Sequence, residues 1–205
     1  MALKHSYTLL APFYDTLVSA PLDSWRQKSL ARLHHTNASQ ILINGIGSGL
    51  DIPYLPADAD LTGSDITPAM LTRAQKRADE HQRKINLVCT DSQQLSFENE
   101  TFDIIIMHLI LAVVPRPERA LQEACRVLKP GGIIYIFDKF LRPGERALAR
   151  RLLNIVIRHV ATRTDVVFET VLSTTPELNL IHDEPALAGG WFRLIELHKQ
   201  QGTIR

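Results

Sequence analysis

Three glycines at alternate positions, Gly45, Gly47 and Gly49, follow a short apolar run, Gln40 to Asn44. Residues without a Cβ let the chain turn sharply and bring its backbone close to a ligand, although the same triplet also serves as a plain strand-to-helix turn. A dinucleotide fingerprint would need its third glycine at position 50, which is Leu50, so a nicotinamide cofactor is disfavoured. Asp65 ends the next apolar run, about 20 residues after Gly45, where a carboxylate can accept hydrogen bonds from both hydroxyls of a ribose. Its alternative use is to cap the following helix. Thr67-Pro68 already offers an N-cap and a proline at the first helical position, which leaves Asp65 for a ligand. Asp91-Ser92 follows a third apolar run and either reaches an adenine amino group or makes an ordinary turn.

These residues need a scaffold, and the hydrophobic pattern supplies one. Tyr7 to Leu33 reads as one or two helices broken around Pro21. Strands are expected at Gln40–Asn44, Asp60–Asp65, Ile85–Cys89, Phe102–Met107 and Ile133–Phe137. Helices are expected at Pro68–Gln82, where Met70, Leu71, Ala74 and Ala78 recur at helical spacing, and at Pro117–Leu128. Continuous apolar strands alternating with helices mark a parallel sheet covered on both faces. Glu145–Val160 reads as a further helix. Leu178–Asp183 and Trp191–His198 then form two strands whose connection is too short for a parallel crossover, so they pair antiparallel.

At 205 residues the chain is long enough for one domain with its own core. Lys and Arg number 23 against 22 Asp and Glu, a balance that gives no sign of nucleic-acid binding. Cys89 and Cys125 are isolated, which fits a reducing compartment and offers neither a disulfide framework nor a metal site. Met1 to Leu10 lacks the apolar core of a signal peptide, and the most apolar stretch, Ile104 to Val114, is too short to span a membrane. The expectation is a cytoplasmic protein, with attachment to the inner membrane face left open.

Together, Gly45 to Gly49, Leu61-Thr62-Gly63-Ser64-Asp65-Ile66-Thr67-Pro68-Ala69-Met70-Leu71, Asp91 to Phe97, Phe102 to His108 and Arg126 to Gly132 resemble the class I S-adenosylmethionine (SAM) dependent methyltransferases, in register over residues 40 to 140. The resemblance implies a Rossmann-like α/β fold with a seven-stranded, mostly parallel sheet, an antiparallel C-terminal strand, helices on both faces and an N-terminal helical lid. It divides a single domain, 1–205, into a lid (1–36), a cofactor-binding core (40–140) and a basic helix with a C-terminal hairpin (141–205). It implies that Gly45, Gly47 and Gly49 back the methionine and ribose of SAM, and that Asp65 holds the ribose diol. Ile66 and Met70 would flank the adenine, Asp91 and Ser92 would contact its edge, and His108 would face cofactor and acceptor. The Lys129–Gly132 turn would be a structural reversal. The family usually carries an acid two residues before the first glycine; this chain has Ile43, and strand alternation sends Asn44 to the other face.

Methyl transfer from a sulfonium rests chiefly on alignment and desolvation. An amine or phenol acceptor must still lose a proton, for which His108, Tyr14 and Asp138 are the candidates; each also has a purely structural reading. Ile46 to Tyr54, Val113 to Leu121, and His182-Asp183-Glu184-Pro185 with Gly189 to Arg193 are similar to bacterial phosphatidylethanolamine N-methyltransferases. Tyr7 and Ala11 to Asp15 resemble the lid of quinone-ring C-methyltransferases. Lys139, Arg142, Arg146, Arg150, Arg151, Arg158 and Arg163 interleave with Leu148, Leu152, Leu153, Ile155 and Val156. Such a segment either lies on anionic lipid or packs its leucines inward and leaves its arginines in water. The expected acceptor is therefore an amphiphilic lipid amine such as phosphatidylethanolamine, with a quinone, a small molecule, or a noncatalytic SAM-binding role as alternatives.

Overall fold

The computed structural model describes residues 22–35, 40–141 and 166–201. Tyr14 and the arginines at 142, 146, 150, 151, 158 and 163 lie outside them, as does the helix expected at 145–160. Helix α1 (22–30) runs into a 3-10 turn, Ala31–His35. After it come β1 (Gln40–Asn44), β2 (Asp60–Asp65), α2 (Pro68–Glu80), β3 (Asn86–Cys89) and β4 (Phe102–His108). The chain continues through α3 (Pro117–Val127), β5 (Leu128–Lys139), the short α4 (Phe168–Leu172), β6 (Leu178–Pro185) and β7 (Phe192–Lys199).

The seven strands form one sheet in the order β3-β2-β1-β4-β5-β7-β6. β1 to β5 pair in parallel, whereas β7 runs antiparallel to both β5 and β6. The apolar strands are double-faced, as strands under helices on both sides must be. Leu42, Ile105, Met107, Ile134 and Ile136 pack on one side with Ala120, Leu121 and Ala124 of α3 and with Phe140 and Phe168. Ile41, Ile43, Ile104, Ile106 and Tyr135 pack on the other with Ala74 and Ala78 of α2 and with Leu30 and Leu33. Alternate residues of one strand thus feed two cores, and Leu30 and Leu33 bind α1 to the second. Each such leucine, fully buried, contributes about 1.5–3 kcal/mol.

One local expectation changes. Lys129–Gly132 is not a reversal before β5 but a bulge within it. Phe102 pairs with Leu128 and Ile104 with Ile133, so Asp103 alone stands opposite those four residues. Lys129 Nζ donates to Asp103 Oδ1 at 2.7 Å, and Gly131 takes φ +77°. A Cβ on Gly132 would meet the Asp103 carbonyl at 2.8 Å, so the bulge brings backbone against backbone. At the start of α2, Thr67 and Pro68 take the expected N-cap and first helical positions, but without the side-chain bond of a cap; the Thr67 N–H is taken up by Asp65 instead.

Among the described residues no helix is long and apolar enough to cross a membrane, and no cluster of His, Cys, Asp and Glu is placed to hold a metal ion.

Candidate functional site

The strand order reverses between β1 and β4, and it is outside the carboxyl ends of parallel strands, at such a switch point, that open α/β sheets bind ligands. A cleft of about 320 Å³ opens there, within the roughly 300–1,000 Å³ range of small-molecule sites. Its wall brings together Gly45, Gly47, Asp65, Ile66, Met70, Asp91, Ser92 and His108, residues drawn from the ends of four strands and the start of α2. Gly49 and Asp138 are not on it.

Gly45 and Gly47 take φ of +77° and +55°, the left-handed region that costs other residues about 1–2 kcal/mol. Gly45 and Ile46 both donate their N–H to the Ser64 carbonyl at 2.8 Å, stitching the loop to β2. Gly47 faces open space, with nothing within 4 Å of a Cβ built on it. Gly49 is not among the residues lining the cleft and has a packing role. A Cβ there would sit 2.7 Å from Ile52 Cδ1 and 3.2 Å from Ala74 Cα, so this glycine lets α2 pack against the loop.

Asp65 is held more firmly than its spacing suggested. Gly47 N–H donates to Oδ2 at 3.0 Å and Thr67 N–H to Oδ1 at 2.8 Å. Burial pushes its carboxyl up from the ordinary value, against the pull of those N–H donors. The Thr67 side chain and the Ile66 N–H also address this carboxyl, which still lines the cleft. Ile66 beside it is 45% exposed, unusual for a large apolar side chain at the rim of a polar group, and Met70 stands next to it on the wall.

Asp91 accepts from Gln93 N–H at 2.8 Å, an Asx-type turn, while still lining the cleft. Ser92 Oγ donates to Asn44 Oδ1 at 2.7 Å, and Ser64 Oγ reaches the same oxygen at 3.3 Å. The fully buried Asn44 therefore ties the ends of β2 and β3 together. Ile43 sits in the apolar layer at 1% exposure.

The opposite wall is Leu109, Ile110, Val113, Val114 and Pro115. Leu109 takes φ +59°, an uncommon conformation for a bulky side chain that local strain at functional sites often produces. Asp138 holds this segment from behind: Ala112 N–H donates to its Oδ2 at 3.0 Å and Lys139 N–H to its Oδ1 at 2.8 Å. Burial raises its carboxyl to about 6 despite those bonds. Of the three residues considered as proton acceptors, Asp138 is thus turned into the loop and away from the cleft.

His108 stands on the wall but is tied at both nitrogens. Nδ1–H donates to Asp51 Oδ1 at 2.8 Å, and Nε2 pairs with Ser29 Oγ at 3.0 Å. Arg26 of α1 donates to the same Asp51 oxygen at 2.8 Å. Burial alone would raise the Asp51 carboxyl, but the His108 and Arg26 charges outweigh it and hold it well below the usual carboxylate range. The order Ser29–His108–Asp51 is that of a nucleophilic triad; Ser29, however, is buried against β4 and absent from the cleft wall. Sequence spacing carried no hint of this network, because Arg26 and Asp51 meet only when α1 docks.

Residues 42–136 match the family described as "Methyltransferase domain". Over 204 residues, 97% of this chain and 98% of the relative, the sequence is 29% identical to a phosphatidylethanolamine N-methyltransferase of Cereibacter sphaeroides. It is 32% identical over 161 residues, 75% of this chain and 67% of the relative, to the ubiquinone/menaquinone biosynthesis C-methyltransferase UbiE of Syntrophotalea carbinolica. Among solved structures, the [4+2]-cyclase SpnF superposes with TM-score 0.78 at 16% identity, over 98% of this chain and 96% of that one. The plantazolicin methyltransferase BpumL in complex with SAH superposes with TM-score 0.69 at 18% identity, over 98% and 95%.

Proposed function

The chain belongs to the class I SAM-dependent methyltransferases, and from that premise we propose that it methylates the amine of an amphiphilic lipid, phosphatidylethanolamine in the first place. The observation that carries this reading is the end-to-end match, 97% of one chain on 98% of the other, with a relative of that name. An apolar cluster beside the cleft supports it. Leu109, on the cleft wall, packs with half-buried Trp25, Ala186, Leu187 and Phe192 around Leu22, Phe137 and Leu194, a surface suited to acyl chain at the acceptor side. Attachment to the inner face of an anionic membrane through Arg142, Arg146, Arg150, Arg151 and Arg158 belongs to the same proposal, since a lipid acceptor is reached at a surface.

The cleft fits SAM. Open space over Gly47 and the Asp65 carboxyl on the cleft wall suit a ribose, and exposed Ile66 with Met70 suits a flat base. In this reading Asp65 holds the ribose diol, Gly45 and Gly47 back the ribose and methionine portion, Ile66 and Met70 flank the adenine, and Asp91 and Ser92 address its edge. When bound, the cofactor supplies a methyl group made electrophilic by the sulfonium. The chain's part is alignment: the apolar Leu109–Val113 wall excludes water and fixes the acceptor's approach. His108, with both nitrogens engaged, acts as a positioning residue that holds the floor of the site, and the acceptor amine gives its proton to solvent before it enters.

A quinone ring is the second reading, favoured by the 32% identity to UbiE. Methyl-labelled SAM incubated with the protein and mixed micelles of phosphatidylethanolamine or a benzoquinol separates the two. Label in methylated phosphatidylethanolamine is the expected result. Label in the quinol alone, or only in a water-soluble metabolite when cell extract replaces the micelles, overturns it.

A further inference from the structure

Resting on that function, a deeper inference concerns Arg26 on the cleft wall. Arg26 lines the cleft with only 7% of its surface exposed, and among the described lining residues no other Lys or Arg is present. A guanidinium carries five N–H donors. Among the described residues it meets one acceptor, Asp51 Oδ1 at 2.8 Å, an oxygen it shares with His108 Nδ1. Its Nε–H is buried and has no acceptor among the described residues. Buried donors left this sparsely satisfied carry a desolvation cost, and most such groups in proteins find a partner.

We propose that Arg26 docks an anionic oxygen of a ligand held in the cleft. The planar fork suits an oxyanion, and the bond it makes is charge-assisted. Two ligands of the proposed reaction bring such an oxygen: the amino-acid carboxylate of the cofactor and the phosphodiester of a phospholipid acceptor. Since Arg26 rides on α1 while Asp51 follows the glycine loop, docking also clamps the helix onto that loop.

The test compares S-adenosylhomocysteine with methylthioadenosine, the same nucleoside without its amino-acid portion. Both are titrated by calorimetry into the full-length wild type, Arg26→Gln and Arg26→Lys. Lysine keeps a positive charge beside Asp51 and covers the case in which Arg26→Gln does not fold. Loss of about tenfold or more for S-adenosylhomocysteine, with methylthioadenosine kept within about threefold, identifies the carboxylate as the docked anion. If both affinities stay as in wild type, kinetics with phosphatidylethanolamine micelles decide. A KM raised about tenfold with kcat retained identifies the phosphodiester. Unchanged affinities and unchanged KM overturn the proposal. Equal loss of both nucleosides also overturns it, because Arg26 is then only a structural partner of Asp51. A wild type that binds neither nucleoside sinks the proposed function itself.

Discussion

Replacing Asp65 is the most direct perturbation of the cleft. Inside the protein its carboxyl accepts from Gly47 N–H at 3.0 Å and Thr67 N–H at 2.8 Å; in the proposed function it also accepts from the two ribose hydroxyls. Hydrogen bonds to a charged group contribute about 1.5–3 kcal/mol each, and neighbouring bonds are not fully additive. Removing both ribose hydrogen bonds in Asp65→Ala then costs about 3 kcal/mol, or about a hundredfold in affinity for S-adenosylhomocysteine. Asp65→Asn falls nearly as far, because its amide nitrogen must point a donor at either the Gly47 or the Thr67 N–H. The two freed N–H groups lie at the cleft and at a helix start, where water reaches them, so the melting temperature should fall only slightly. Burial has raised the Asp65 carboxyl, so wild-type affinity should decline on acidification at a higher pH than an ordinary carboxylate would dictate, and Asp65→Asn should lose that dependence. Calorimetry across this pH range checks both statements. Affinity within about threefold of wild type in Asp65→Ala would show that the carboxylate serves only to tie the loop to α2.

Gly49→Ala must strain its φ of +82° and press a Cβ to 2.7 Å from Ile52 Cδ1; a loss of about 2–3 kcal/mol in denaturant unfolding is expected, with nucleoside affinity falling far less. Asp138→Asn tests the raised carboxyl behind the cleft wall. Because its folded-state pKa of about 6 exceeds the ordinary 3.8, the native state holds the proton more tightly. Its contribution to stability is therefore present at low pH and is lost as pH rises from about 4 through about 6, by about 3 kcal/mol. Urea unfolding at several pH values should show this slope shrinking in Asp138→Asn; an unchanged slope refutes the assignment.

The parallel core was legible because strands buried on both faces must be apolar throughout, as Ile41–Ile43 and Ile104–Met107 are, and because the short link between β6 and β7 admits only antiparallel pairing. Spacing alone also put Asp65 and Asp91 at the ends of β2 and β3, on the cleft wall. What escaped were contacts made by packing. Gly49 reads as one more ligand-facing glycine until Ala74 of α2 is seen above it. Asp51 reads as a loop residue until α1 and β4 deliver Arg26 and His108 to it. The Lys129–Gly132 bulge reads as a turn because Pro and Gly serve both, and only the pairing of Leu128 with Phe102 tells them apart.

The reversed direction of β7 has a consequence for how such a protein diversifies. Because β7 runs against β5 and β6, the link between β6 and β7 emerges on the same rim as the ends of the parallel strands, and its Leu187 packs beside Leu109. In the proposed function the nucleoside half is built from the ends of β1, β2 and β3, and no residue of that link lines the cleft. Changes in length or bulk between Pro185 and Phe192 can therefore retune what is methylated while the donor's seat stays untouched, so that one scaffold can be refitted for new recipients from its far edge.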